Sequence, residues 1–101
     1  MFNFLKKAFG PGVDLKEKLQ DGAVIVDVRT KGEFASGHVK GSKNIPLNNI
    51  DGKLNQIKSW NKPVIACCAS GMRSASATGI MKRNGIEAYN GGSWGKVNNM
   101  V

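Results

Sequence analysis

Apolar and polar positions along this chain alternate between two periods. Ala23-Val24-Ile25-Val26-Asp27-Val28 and Pro63-Val64-Ile65-Ala66-Cys67 are near-continuous apolar runs, as expected of strands covered on both faces in a parallel sheet. Ile86-Glu87-Ala88-Tyr89 predicts a last strand, and Asn44-Ile45-Pro46-Leu47 a brief one cut off by its proline. Helical spacing fills the gaps between them. Asp14 to Leu19 predicts a short helix, with Asp14 as N-cap and Glu17 completing a capping box. A short helix is expected from Gly32 to Ser36. Asp51 to Trp60 places Leu54, Ile57 and Lys58 at helical spacing. Ser74 to Asn84 predicts a helix rich in small residues, ended by Asn84-Gly85. Asn90 to Gly95 is expected to turn, with a loose helix after it. Strands that alternate with helices in this way predict an α/β fold whose parallel sheet is covered on both faces.

With 101 residues, and about 150 per domain as a guide, the chain is one domain. Residues 1–10 are expected to be an amphipathic lead-in, and 11–101 the domain proper. Phe2, Leu5, Phe9, Lys6 and Lys7 would suit a membrane surface, but ten residues make a marginal helix, so a terminal turn is the expectation. Apolar residues at 41% and charged residues at 22% are ordinary globular values and exclude wholesale disorder. The net charge of +8 sets up a field that attracts anions. The basic residues are scattered, with few aromatics among them, which disfavours a nucleic-acid platform. No run approaches the roughly 18 apolar residues of a membrane span. The first residues lack the order of a secretory signal, and a cytoplasmic, reducing setting is expected. Cys67 and Cys68 are neighbours, so a structural disulfide is excluded. One histidine, His38, and two adjacent cysteines cannot readily supply a four-ligand zinc site. No metal or cofactor is expected, and a monomer is.

The stretch that carries chemistry is Val64-Ile65-Ala66-Cys67-Cys68-Ala69-Ser70-Gly71-Met72-Arg73-Ser74. A strand ends, a short loop follows and a helix begins. Open α/β sheets bind ligands outside the carboxyl ends of their strands, which puts Cys68 in the default crevice. Loop N–H groups and the helix N-terminus can face an anion there. Together with Arg73 they would favour thiolate over thiol, whose free pKa is about 8.5. Gly71 supplies backbone freedom, and Ser70 and Ser74 supply hydroxyls. Most free cysteines are buried and inert, and that alternative stands for Cys68 on these grounds alone. The side chain of Cys67 must point opposite to that of Cys68. It reads as structural, or as a thiol able to resolve an oxidised neighbour.

The pattern Cys68-x-x-Gly71-x-Arg73-Ser74 resembles the active-site loop of single-domain rhodaneses, a sulfurtransferase family. Ile25-Val26-Asp27-Val28-Arg29-Thr30, Glu33-Phe34, Gly37-His38-Val39, Gly41-Ser42 and Asn44-Ile45-Pro46-Leu47 are similar to a second block of that family. Tyr89-Asn90-Gly91-Gly92 is similar to its C-terminal glycine turn. The match spans about residues 13–95. The resemblance implies a three-layer α/β/α domain around a parallel five-stranded sheet. It also implies a sulfur relay: Cys68 takes the outer sulfur of a donor such as thiosulfate, holds it as a persulfide, and yields it to cyanide or a thiol. On this reading Ala69, Ser70, Gly71, Met72, Arg73 and Ser74 bind substrate, and Arg73 pairs with the donor's oxygens. Related phosphate-cleaving domains place the arginine six positions after the cysteine. Here it is five, a tighter cradle that suits sulfur.

Asp27, Arg29, Glu33 and His38 read as structural supports. Asp27 is expected either to bond the active loop or to cap the next helix. Arg29 and Glu33, four apart, are expected to pair. His38 is expected to brace a turn, because a thiolate already formed needs no base. Trp60 and Trp94 read as packing, although Trp94 follows the glycine turn more closely than the family pattern has it. The partners implied are a small anionic sulfur donor and a thiol or cyanide acceptor, with a sulfur-accepting protein as a further candidate. A sulfur carrier with little thiosulfate turnover is the alternative to an enzyme, and a non-catalytic interaction domain is a third class.

Overall fold

Strands of this chain pack where its apolar runs are longest. A computed structural model describes residues 13–101. The lead-in 1–10, and with it any membrane contact, lies outside the described residues. The element order is α1 (Leu15–Gln20), β1 (Val24–Asp27), α2 (Lys31–Ala35), β2 (Lys43–Asn44), a 3-10 turn (Leu47–Asn49), α3 (Ile50–Ser59), β3 (Val64–Cys68), α4 (Met72–Arg83), β4 (Ala88–Ser93) and α5 (Trp94–Asn98). The strands form one parallel sheet in the order β2-β1-β3-β4. Among the described residues the sheet has four strands, where the family resemblance implies five.

Side-chain alternation divides the sheet into two apolar faces. Val26, Val64, Ala66 and Cys68 face one way and bury against Ile50, Ile57, Ala77 and Met81 of α3 and α4. Ile25, Ile65 and Cys67 face the other way, against Val97 of α5 and the half-buried Leu15 and Leu19 of α1. Helices on both faces make the three layers that continuous apolar strands require.

Several boundaries differ from expectation for local reasons. The Asn44–Leu47 strand counts only Lys43 and Asn44 as ladder residues. Ile45 N–H still reaches the Asp27 carbonyl, and Leu47 N–H the Val28 carbonyl, each at 3.0 Å, and Pro46 between them has no N–H to give. Helix α4 begins at Met72, two residues early, because Gly71 takes up a left-handed φ of 101° and turns the chain directly from loop into helix. The last strand is displaced furthest: it runs through the expected Asn90–Gly92 turn. Asn90 pairs with Ala66 and Gly92 with Cys67, so Gly91 is the extra residue of a bulge. The expected loose helix at the end is α5, capped by the Ser93 hydroxyl, which accepts from Lys96 N–H at 3.1 Å.

A side chain at Gly91 would have nowhere to go. Its Cβ would lie 2.6 Å from Val97 Cγ2, 2.9 Å from Ile65 Cγ2 and 3.1 Å from the Ala66 carbonyl oxygen. Gly91→Ala should therefore destabilise the domain by about 2 kcal/mol. The measurement is the urea midpoint at unchanged slope.

Candidate active site

The strand order places β1 beside β3, with β2 and β4 outside them. Connections leave β1 and β3 in different directions, which opens a crevice at their carboxyl ends. Asp27 ends β1 and pairs in register with Cys67, and Cys68 is the last residue of β3. Both cysteines are free thiols, and neither has solvent-exposed surface. Their surroundings differ because successive strand residues face opposite sides. Burial first, and the neighbouring negative charge of Asp27 second, push the Cys67 thiol up to about 12. Cys67 is thereby an inert core group.

Cys68 has hydrocarbon behind it and donors in front. Gly71 N–H donates to its Sγ at 3.0 Å, and Ser74 N–H at 3.4 Å. The Ser74 hydroxyl lies 3.4 Å from the sulfur. Burial works to raise this thiol's pKa. The Ser74 hydroxyl and the N–H groups of Ser74, Gly71 and Ser70 outweigh burial and bring it down from 9.0 to about 7. The first turn of α4 delivers some of these donors, since the leading N–H groups of a helix have no partners within it. Gly71 cannot be replaced without strain. Besides its φ, a Cβ there would lie 3.2 Å from the Cα of Gly92.

Asn90 completes the cradle. Ser74 Oγ donates to Asn90 Oδ1 at 2.6 Å, and Asn90 Nδ2 donates to the Gly71 carbonyl at 3.1 Å. A hydroxyl has one hydrogen. When Cys68 is a thiol, its S–H donates to Ser74 Oγ and the hydroxyl hydrogen goes to Asn90. When Cys68 is a thiolate, that hydrogen turns to the sulfur, and Asn90 Oδ1 keeps the Gly92 N–H at 3.0 Å. Sequence reasoning passed over Asn90. The available signal was its place beside the end of β3, where side chains border the crevice.

The charged residues pair differently from expectation. Arg29 does not pair with the Glu33 carboxylate. Its Nε and Nη2 donate to the two oxygens of Asp27 at 3.0 and 2.7 Å, with both residues buried. The same guanidinium reaches the carbonyls of Gly37 (2.7 Å) and Glu33 (3.2 Å) and lies 4.9 Å from the Trp94 ring. Asp27 also accepts from Arg29 N–H at 3.0 Å. It therefore neither bonds the active loop nor caps α2. Thr30 is the cap, in a reciprocal box with Glu33, and the Thr30-x-x-Glu33 spacing was the signal for it. Arg73 is paired with a carboxylate in this structure. Its Nη1 and Nη2 grip Glu33 Oε1 and Oε2 at 2.8 and 3.0 Å. That pair, followed by the Thr30 N–H, holds the Glu33 carboxyl down to about 2. His38 sits away from this network: Phe34's carbonyl is 2.7 Å from its Nδ1, and its ring stacks on the Phe34 ring. Ala69, Ser70 and Met72 are exposed along the loop, while Ser74 is buried. Among the described residues no cluster of metal-ligating side chains occurs and no helix is long and apolar enough to cross a membrane.

This loop, closing around a cysteine at the end of a central strand, coincides with a known family. The model of the rhodanese-like domain matches residues 13–95, and the chain belongs to that family. It is similar to the uncharacterized protein YqhL of Bacillus subtilis, 40% identical over 67% of this chain and 54% of the relative. The thiosulfate sulfurtransferase GlpE of Pseudomonas fluorescens is 32% identical over 66% of this chain and 61% of its own length. Among solved structures, a rhodanese-like domain protein from Staphylococcus aureus superposes with a TM-score of 0.66 at 40% identity, covering 75% of this chain and 76% of that one. The chain spans about half or less of several curated relatives it matches.

Three outcomes follow from the site. The ultraviolet absorbance of thiolate should rise with an inflection near pH 7 from Cys68, and Ser74→Ala should move that inflection upward. The folded state favours the thiolate, so its contribution to stability is full above about pH 9, the unfolded thiol's value, and fades as pH falls through about 7. Asp27→Ala, which leaves the Arg29 guanidinium buried without its partner, should cost about 3–5 kcal/mol in chemical denaturation.

Proposed function

We propose that this protein is a sulfurtransferase that carries sulfane sulfur as a persulfide on Cys68. It takes the sulfur from a donor such as thiosulfate and gives it to a thiophilic acceptor such as cyanide or a thiol. The observation that carries this reading is the ring of donors around Cys68 Sγ: Gly71 N–H at 3.0 Å, Ser74 N–H at 3.4 Å and the Ser74 hydroxyl. A pKa of about 7 keeps much of the sulfur ionised near neutrality while leaving it nucleophilic.

In the first step the Cys68 thiolate attacks the outer sulfur of thiosulfate. A new S–S bond forms, the donor's S–S bond breaks, and its electron pair leaves with sulfite. In the second step an acceptor thiolate or cyanide attacks the outer sulfur of the Cys68 persulfide and frees the thiolate. Neither step needs a general base, because the nucleophile enters ionised. The covalent intermediate divides one transfer into two. The N–H groups that hold the thiolate can follow the negative charge one sulfur further out. Two free thiols in the core suit a reducing compartment, and a cytoplasmic setting is part of this proposal.

A sulfur-carrier role has an observation of its own. The Cys68 side chain has 0% exposed surface, so transfer requires the loop to move. A protein partner that docks on the loop could drive that movement better than a small anion. Rapid steady-state thiocyanate formation from thiosulfate and cyanide supports the enzyme, and a single loading without turnover supports the carrier.

Intact mass spectrometry tests the shared chemistry. Thiosulfate treatment should add one sulfur atom to the native chain and to Cys67→Ala, and none to Cys68→Ala. Sulfur gained on Cys67 would overturn the assignment.

A further inference from the structure

We infer that Glu33 sets donor preference at this site: by holding Arg73 in a two-bond ion pair, it withholds the loop's single positive charge from thiosulfate, which still loads Cys68 but more slowly than an organic persulfide does. This inference rests on the sulfur-transfer reading above. Thiosulfate presents its outer sulfur on a group with three charged oxygens, and such a group is recognised by a free guanidinium. Between Cys68 and Ser74 the only cation is Arg73, and both of its terminal nitrogens are committed to Glu33 at 2.8 and 3.0 Å. The other nearby guanidinium, Arg29, is buried on Asp27.

The Glu33 carboxylate is also held from behind. Its Oε1 accepts from Thr30 N–H at 3.0 Å and from the Thr30 hydroxyl at 3.2 Å, as half of the α2 capping box. A carboxylate fixed in place by its own helix competes for Arg73 as an intramolecular ligand, at an effective concentration that a dissolved anion does not match. Pairing across more than half-buried but still wetted side chains (each 37% exposed) contributes little to stability. Its consequence is local neutralisation.

The space beside the pair suits carbon. A recess of about 440 Å³ is lined by Val28, Thr30, Pro46, Leu47, Asn48 and Arg73. It offers apolar surface to the organic part of a persulfide R–S–SH and little to a sulfonate. In that transfer the Cys68 thiolate attacks the outer sulfur. The donor's S–S bond breaks, its electron pair leaves on R–S⁻, and the persulfide proton passes to that thiolate, giving R–SH and the Cys68 persulfide.

Glu33→Gln removes the charge and keeps a side chain able to serve in the capping box. Glu33→Asp keeps the charge and shortens the reach. Single-turnover loading of Cys68 is followed by mass spectrometry with thiosulfate and with glutathione persulfide as donors, for the native chain, both variants, and Glu33→Gln combined with Arg73→Gln. Thermal unfolding shows that each variant is folded. The ratio of thiosulfate to persulfide second-order loading rates should rise about tenfold in Glu33→Gln and by a smaller factor in Glu33→Asp. The gain should come from a lower half-saturating thiosulfate concentration, as added donor binding requires, and the double variant should return the ratio to the native one. A ratio that does not rise in either variant, or a rise that survives loss of Arg73, overturns the role of Glu33 while leaving sulfur transfer intact. If the native chain gains sulfur from neither donor, the transfer reading falls and this one with it.

Discussion

Cys68 must be inside the core and among hydrogen-bond donors at the same time, and the architecture around it follows from that demand. A thiolate buried in hydrocarbon alone is too costly to form, and at the neighbouring Cys67 burial, with the Asp27 charge beside it, pushes the thiol up to about 12. A thiolate in open water gains no special reactivity. The last position of a central parallel strand offers the intermediate case. The side chain packs on α3 and α4 residues behind, and the backbone ahead of it is free to curl. Gly71 makes the curl tight enough for its own N–H and that of Ser74 to converge on one sulfur. Gly92 stands close enough to crowd a side chain at Gly71, whose φ already disfavours one. The bulge at Gly91 lets β4 keep pace with β3 up to Cys68, and Asn90 is carried there with it. Site and sheet edge are therefore one construction.

A buried charge pair fixes the β1 side of the crevice. Asp27 and Arg29 are two residues apart at the end of β1, and the guanidinium goes on to the carbonyls of Glu33 and Gly37. Ion pairs this buried gain little net stability over apolar packing. What this one does is geometric: it ties the strand end to α2 and the turn after it. Helix α2 is only five residues long, too short to hold itself. Its orientation depends on that anchor and on the Thr30–Glu33 box. Glu33 meets Arg73 because α2 is held from below in this way.

The layered fold was legible in the sequence because apolar runs and alternation depend on nearest neighbours. Val26, Val64 and Ala66 on one face and Ile25 and Ile65 on the other follow directly from a period of two. The opposite environments of Cys67 and Cys68 follow from the same rule. The charge pairing was not legible. Arg29 and Glu33 have helical spacing, but Arg29 precedes the Thr30 cap, so the two share no helical face and the i, i+4 relation does not exist. Glu33 and Arg73 lie forty residues apart, and only the sheet order brings them together. The Asn90-Gly91-Gly92 segment has the composition of a turn. It forms strand because Val97 and Ile65 close over Gly91, a tertiary contact that composition does not encode.

The net charge of +8 would suggest that anions are drawn to the reactive sulfur, and the local geometry argues otherwise. Exposed charges act over about 8 Å at physiological ionic strength, so scattered lysines raise the encounter rate of anions with the whole surface. Binding at one sulfur depends on the charges nearest to it. There the cation is matched one for one by a carboxylate that its own helix cap holds in position. A global field that attracts anions and a local pair that neutralises the nearest cation are compatible. Under the proposed role of Glu33, their combination would separate arrival from selection: charge on the surface would govern how often a donor comes, and Glu33 which chemical form of sulfur it carries.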